Sequence, residues 1–282
     1  MMLERGAHSN EAKNVTPEDE AVDMRVGSDR FWWYHVEKRS RKAKGQKLGL
    51  LTERRAEMDN QLRVTLEIGP KGKKVVAVAP DWPGLERGAK TGEAAIERVQ
   101  SYLPRYAQVA KLAGMDGAFA AITTVDMVEH YPGTGSTDFW GISFAFSSID
   151  RQDLSSGELE RELTLMQACW AFFDDVRLRV SAQMQKGPRG GGRDRDRIVG
   201  HTLAVEQDWA KNLGMLTAQG EMLSEEGLRA HRDAYRNTIR AFHSESKMAR
   251  TWPLRYLIRH TAFHTLDHAW EMEDKDLTVG VR

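Results

Sequence analysis

Cysteine occurs once in the 282 residues, at Cys169, so no disulfide can close within the chain and no multi-cysteine metal site can be built. A lone thiol suits a reducing compartment, and the cytoplasm is the expected location. Net charge is missing as well. The 41 Lys and Arg are matched by 41 Asp and Glu, which leaves no global field to draw the chain to nucleic acid or to an anionic surface. Any such contact has to be local. No apolar run approaches the ~20 residues of a membrane span, and Glu, Asp and Asn interrupt the N-terminal stretch where a signal peptide needs unbroken apolar sequence. The expectation is a protein neither membrane-embedded nor exported by that route.

What is present is a globular composition, 40% hydrophobic and 29% charged, at a length that suits two domains, each able to bury a core. Residues 1–57 read as a flexible extension. Up to Val26 the chain is polar without an apolar period. Phe31-Trp32-Trp33-Tyr34 and a basic run through Lys38, Arg39, Arg41, Lys42, Lys44 and Lys47 follow. Aromatics beside such a run can stack on bases and neutralise phosphates, which would make residues 38–47 a nucleic-acid contact. The favoured reading is instead a short helix docked by its aromatic face with solvated lysines behind it, since basic runs often arise by chance. A start of translation at Met58 would leave the segment without a role.

Residues 58–150 read as a small α+β domain. Apolar and polar residues alternate from Leu62 to Leu66, a Val-rich run spans Lys73 to Ala79, and Gly69-Pro70-Lys71-Gly72 between them has turn chemistry, which predicts a β-hairpin. Thr91 is a plausible N-cap for a helix with Ala95, Ile96, Val99 and Leu103 on its apolar face, interrupted or kinked at Pro104. A further strand is expected over Ile122 to Val128 and a turn over Tyr131 to Ser136. The run VVAVAPDWPGLERGAKTGEAAIERVQSYL, Val75 to Leu103, resembles the HicB-like antitoxin fold, whose strand ends in Pro-Asp-x-Pro-Gly before a helix opening Thr-x-Glu-Glu-Ala; Ala94 replaces the second Glu. The resemblance implies that fold and, as a weaker expectation, a protein-binding domain. Trp82 and Pro83 are expected to pack a corner of the sheet.

Residues 151–282 change character. Leu159, Leu163, Met166, Trp170, Phe173, Val176 and Val180 recur at helical spacing after Ser155-Ser156. Further helices are expected over Asp196 to Leu213, over Ser224 to His243, and from Pro253 to Asp274, joined by loops that permit antiparallel neighbours, which suggests a four-helix bundle. On the last of these, His260, His264 and His268 recur every four residues on one face. Two such imidazoles can chelate one ion, and His201 on the second helix can supply a third nitrogen, leaving the open position of a catalytic site. Imidazole suits iron, nickel and copper as well as zinc, so ligand type alone does not choose the metal; zinc is the first expectation, with nickel, iron or manganese after it.

Ile198 to Leu203, which carries His201, and Phe263 to His268, which carries the pair, resemble the DinB-like family of metal-dependent four-helix bundles. The resemblance extends from about Ser155 to Asp274. It implies a divalent metal on His201, His264 and His268, activation of a low-molecular-weight thiol or of water, a small-molecule substrate, a thiol-dependent transferase or hydrolase type of activity, and possible homodimers. Ala269 stands where many members have Arg, and His260 matches no ligand. Glu206 and Asp208 are candidate general bases on the second helix. Asp267 and Glu271 can accept the outer N–H of a ligand histidine. The linker KGPRGGGRDRDR, with Arg189 and Arg193, is either a flexible connection or an anion-binding mouth of the site. Mid-helix Cys169 is expected to be a buried, inert thiol. The competing reading is a binding or regulatory module that contacts protein or nucleic acid without catalysis.

Overall fold

The computed structural model describes residues 60–188, 191–218 and 220–278. The expected extension over 1–57, its cluster at 31–47 and Arg189 lie outside them. The first part of the described chain forms a four-stranded mixed sheet, and the rest is mostly helical.

The hairpin forms where alternation and turn residues put it, between β1 (Gln61–Ile68) and β2 (Val75–Val78). A short β3 (Glu86–Ala89) adds to the free edge of β2, and β4 (Thr124–Pro132) pairs parallel with β1, giving the order β3-β2-β1-β4. Between β3 and β4 lie α1 (Gly92–Ser101), α2 (Leu103–Leu112) and α3 (Asp116–Ala120). The Thr91 hydroxyl caps α1, accepting from the Ala94 N–H at 3.2 Å. Pro104 falls in the first turn of α2, where its missing N–H costs nothing, so it begins a new helix instead of kinking one. The stretch expected to be a turn at Tyr131 to Ser136 contains the end of β4 and the start of a one-and-a-half-turn helix, α4 (Gly135–Trp140).

Four long helices follow: α5 (Ser156–Arg179), α6 (Arg195–Ala210), α7 (Glu225–Ser244) and α8 (Leu254–Asp274). Ser155 and Glu158 form a reciprocal capping box at the start of α5, and Ser224 caps α7. Contacts along the helices fix their directions. Arg255 pairs with Glu162 near the start of α8 and α5, and Arg179 with Glu273 near their ends, so these two run parallel. Trp209 packs on His260 while Arg193 reaches Glu271, so α6 runs against α8. Arg232 meets Asp174 and Arg240 meets Glu160, so α7 runs against α5. Helices α6 and α7, adjacent in sequence, therefore point the same way, and the long 211–224 connection carries the chain back between them.

Sheet and helices bury one continuous core, from Leu62, Val99 and Tyr106 to Cys169, Phe173 and Leu266. The Pro80–Gly84 corner is the junction. Trp82 packs edge-on against Tyr106 and Phe119, and Cys169 sits buried with its sulfur 3.7 Å from the Pro83 carbonyl. Gly84 has φ +96, and a Cβ there would lie 3.3 Å from both the Cys169 sulfur and Leu266.

Alternation on β1 puts Leu62, Val64 and Leu66 inside, yet Thr65 and Glu67 on the other face are buried too. That second face is covered by the 143–150 segment and α8. Arg259 of α8 is the node. It donates to both Asp150 oxygens at 2.7 and 2.9 Å, to Glu86 at 3.2 Å and to the Ser143 hydroxyl at 3.1 Å. The Ser143 hydroxyl donates in turn to Glu67 at 2.7 Å, and the Phe144 and Ala145 N–H groups also donate to it. Burial works against the Asp150 charge, but Arg259 holds its carboxyl below the ordinary value. At Glu86 burial wins over Arg259 and lifts the carboxyl from 4.5 to about 8.

Two outcomes are expected. Arg259→Met strands buried carboxylates and should cost about 3–5 kcal/mol in urea unfolding. Between 4.5 and about 8 folded Glu86 keeps a proton that the unfolded chain has released. Its contribution to stability therefore falls as pH rises through that window and is level above it. Unfolding of Glu86→Gln followed across the same window should show a shallower decline than the parent; an unchanged slope would contradict the assignment.

Candidate metal centre

Helices α6 and α8 run antiparallel, so a histidine in the middle of one faces the second half of the other. His201, His264 and His268 meet there, each offering a ligand atom within 4.8 Å of the other two. The Nε2 atoms of His201 and His264 are 3.4 Å apart. Imidazole nitrogens held tetrahedrally by one ion at about 2.0–2.1 Å stand about 3.3 Å apart, so this spacing fits a shared cation. His268 is buried, His264 half-buried and His201 exposed, which leaves the His201 side of the group open to solvent.

The orientation of His268 is set by Glu271, whose carboxylate lies 2.7 Å from Nδ1. An ionised acceptor there places the proton on Nδ1 and turns the Nε2 lone pair toward the other two rings. Glu271 is itself held by Lys275 at 2.6 Å and by Arg193 at 3.4 Å. Against burial, the bonds from His268 first and then Lys275 pull its carboxyl down to about 2. Burial, then the neighbouring imidazoles, pushes His264 down to about 2 and His201 down as well, so both rings are neutral and keep lone pairs free.

The other expected site residues are distributed differently. Arg193 does reach the site, but as a partner of Glu271. Glu206 is buried in a pair with Arg232, at 2.9 and 3.2 Å, and Arg232 also holds Asp174 at 2.7 Å. Its carboxylate is committed between α6 and α7 and does not join the histidine group. Asp208 is exposed and pairs with Lys211 at 2.9 Å. Of the two carboxylates considered as acceptors for a histidine N–H, Glu271 serves; Asp267 instead faces Arg87 of β3 at 3.2 Å. His260 is buried among Tyr256, stacked at 5.0 Å, and Trp209 at 4.6 Å, and burial pushes it down to about 3.

Trp209 was not anticipated. It lies 5.2 Å from His264, centroid to centroid, and is partly exposed, so it forms an aromatic wall on the His264 side of the group. Its signal was present: eight residues after His201 is close to two full turns, which puts both on one face of α6. No family model matches the chain, nor does any curated protein or solved structure.

The pairing of Glu206 separates a structural role from a catalytic one. Glu206→Ala leaves buried Arg232 short of an anion and should lower stability by about 3 kcal/mol or more. Asp208→Ala, at an exposed pair, should change it by less than about 0.5 kcal/mol. Chemical denaturation of both variants tests the contrast; equal effects would count against it.

Proposed function

We propose that this chain is a metal-dependent enzyme of the DinB-like kind, with His201, His264 and His268 as ligands of a divalent ion. The observation that carries the reading is the convergence of three imidazoles from two helices, one of them aimed by an acidic neighbour. The four long helices support the bundle part of the resemblance. The sheet, in which α1 follows β3 and β4 returns beside β1, supports the HicB-like part. A small-molecule substrate, an exposed approach past His201 and Trp209, and a homodimer belong to the same proposal.

When bound, the ion would supply Lewis acidity to a thiol or a water molecule, with zinc the first candidate and nickel, iron or manganese the others. Glu271 fixes the His268 tautomer, and Arg193 and Lys275 keep that carboxylate in place. Glu271 is a weak base, because its donors hold it at about 2. Glu206 and Asp208 are engaged elsewhere. A nucleophile that ionises readily therefore suits these surroundings better than one that needs a strong base, which favours a low-molecular-weight thiol over water and transfer over hydrolysis.

Metal content by inductively coupled plasma mass spectrometry on untagged protein tests the proposal. Near-stoichiometric metal is expected in the parent and little in the double variant His264→Ala, His268→Ala. Glu271→Gln should weaken metal retention about 10–100-fold without unfolding the chain. Parent protein that carries none of the four metals and takes up none would sink the reading.

A further inference from the structure

The β1–β2 turn and α4 are tied by one side chain. The Asp138 carboxylate accepts the backbone N–H groups of Lys71, Lys73 and Lys74 at 2.6, 2.8 and 3.2 Å. The approach is close enough that a Cβ on Gly69 would fall 2.1 Å from an Asp138 oxygen. The two residues after Asp138 are Phe139 and Trp140, which are 69% and 63% exposed. Two adjacent large aromatic side chains this open to water require an explanation beyond ordinary surface composition.

Their surroundings are basic. Lys71 and Lys73 are exposed on the turn, and the Lys74 ammonium donates to the Phe139 carbonyl at 2.9 Å. Val75 pairs with Ala89, so Lys74 and the exposed Lys90 end neighbouring strands side by side. Among the described residues the lysines in ion pairs are Lys186, Lys211, Lys247 and Lys275, none of them in this patch. Asp138 lies among these lysines, but its oxygens are turned to backbone N–H groups. A chain of zero net charge thus gathers four lysines around one aromatic projection.

We infer that Phe139, Trp140 and the surrounding Lys71, Lys73, Lys74 and Lys90 form a docking surface for an anionic lipid bilayer, with the two rings seated at the headgroup level. The amphipathic indole of Trp140 favours that level, the Phe139 ring adds apolar area beside it, and the neighbouring lysines are attracted to acidic lipids. Each signal alone gives weak, reversible binding; together they give retention. The ring geometry separates a bilayer from single-stranded nucleic acid. Phe139 and Trp140 meet at 83° with centroids 4.5 Å apart. They make a wedge packed on itself, with no two parallel faces for successive bases to stack on. A second copy of the chain would bring like charges together.

The test is co-sedimentation of the full chain with vesicles of phosphatidylcholine alone and of phosphatidylcholine with phosphatidylserine, at low and high salt. Binding is expected to the acidic vesicles only, and to weaken in high salt. The double variants Phe139→Ser, Trp140→Ser and Lys71→Glu, Lys73→Glu should each lower partition about tenfold or more, with thermal unfolding midpoints at the parent value. The same partition in both variants would move the contact elsewhere, residues 38–47 included, and overturn the inference. So would equal binding to both vesicle types, no binding, or capture of a single-stranded oligonucleotide that the same substitutions abolish.

Discussion

A charged guanidinium that is 2% exposed needs polar and anionic partners around it, and Arg259 has the Asp150 carboxylate and the Glu86 carboxyl in contact and reaches Glu67 through Ser143. Burying these groups carries a large desolvation cost, offset only while the geometry holds. The remaining architecture follows from satisfying them. Asp150 and Ser143 must come from the segment after α4, Glu86 from β3 and Glu67 from β1. The network therefore fixes α8 against the sheet and folds the 143–150 segment between them.

That constraint reaches the histidines through helix geometry. Arg259 and His268 are nine residues apart, which at about 100° per residue places them on opposite sides of α8. With Arg255 held by Glu162 and Arg259 by Asp150, the helix can present only one other face to α6. That face carries His264 and His268. Sixteen residues of α8 are buried, so it is a central helix with polar residues on several sides, among them Thr261 paired with Tyr235 and His268 with Glu271. Position in the fold, more than ligand spacing, holds the imidazoles in a common place.

Much of the helical part was legible residue by residue. Ser155, Ser224 and Pro253 marked starts that lie within a residue of those observed, because capping is local chemistry and does not depend on the rest of the chain. The hairpin was legible for the same reason. β3 was not, since Glu-Arg-Gly-Ala has neither alternation nor propensity and exists only as an addition to the edge of β2. The polar face of β1 was misleading: alternation implies one wet face, yet Glu67 is fully buried by a segment more than seventy residues away in sequence.

By itself the chain determined which residues could be ligands. Histidines four apart on one helix and an acid three residues further on share a face wherever that helix packs, so His264, His268 and Glu271 were available as a group from spacing alone. Only the tertiary structure decided that His201 joins them while Glu206, five residues later on the same helix, does not. It pairs Glu206 with Arg232 because α7 crosses that side of α6, and it turns Asp267 to Arg87 because β3 lies beneath α8. The physical reason is that a carboxylate's role is set by the nearest cation able to desolvate with it, and that cation arrives from a different part of the chain.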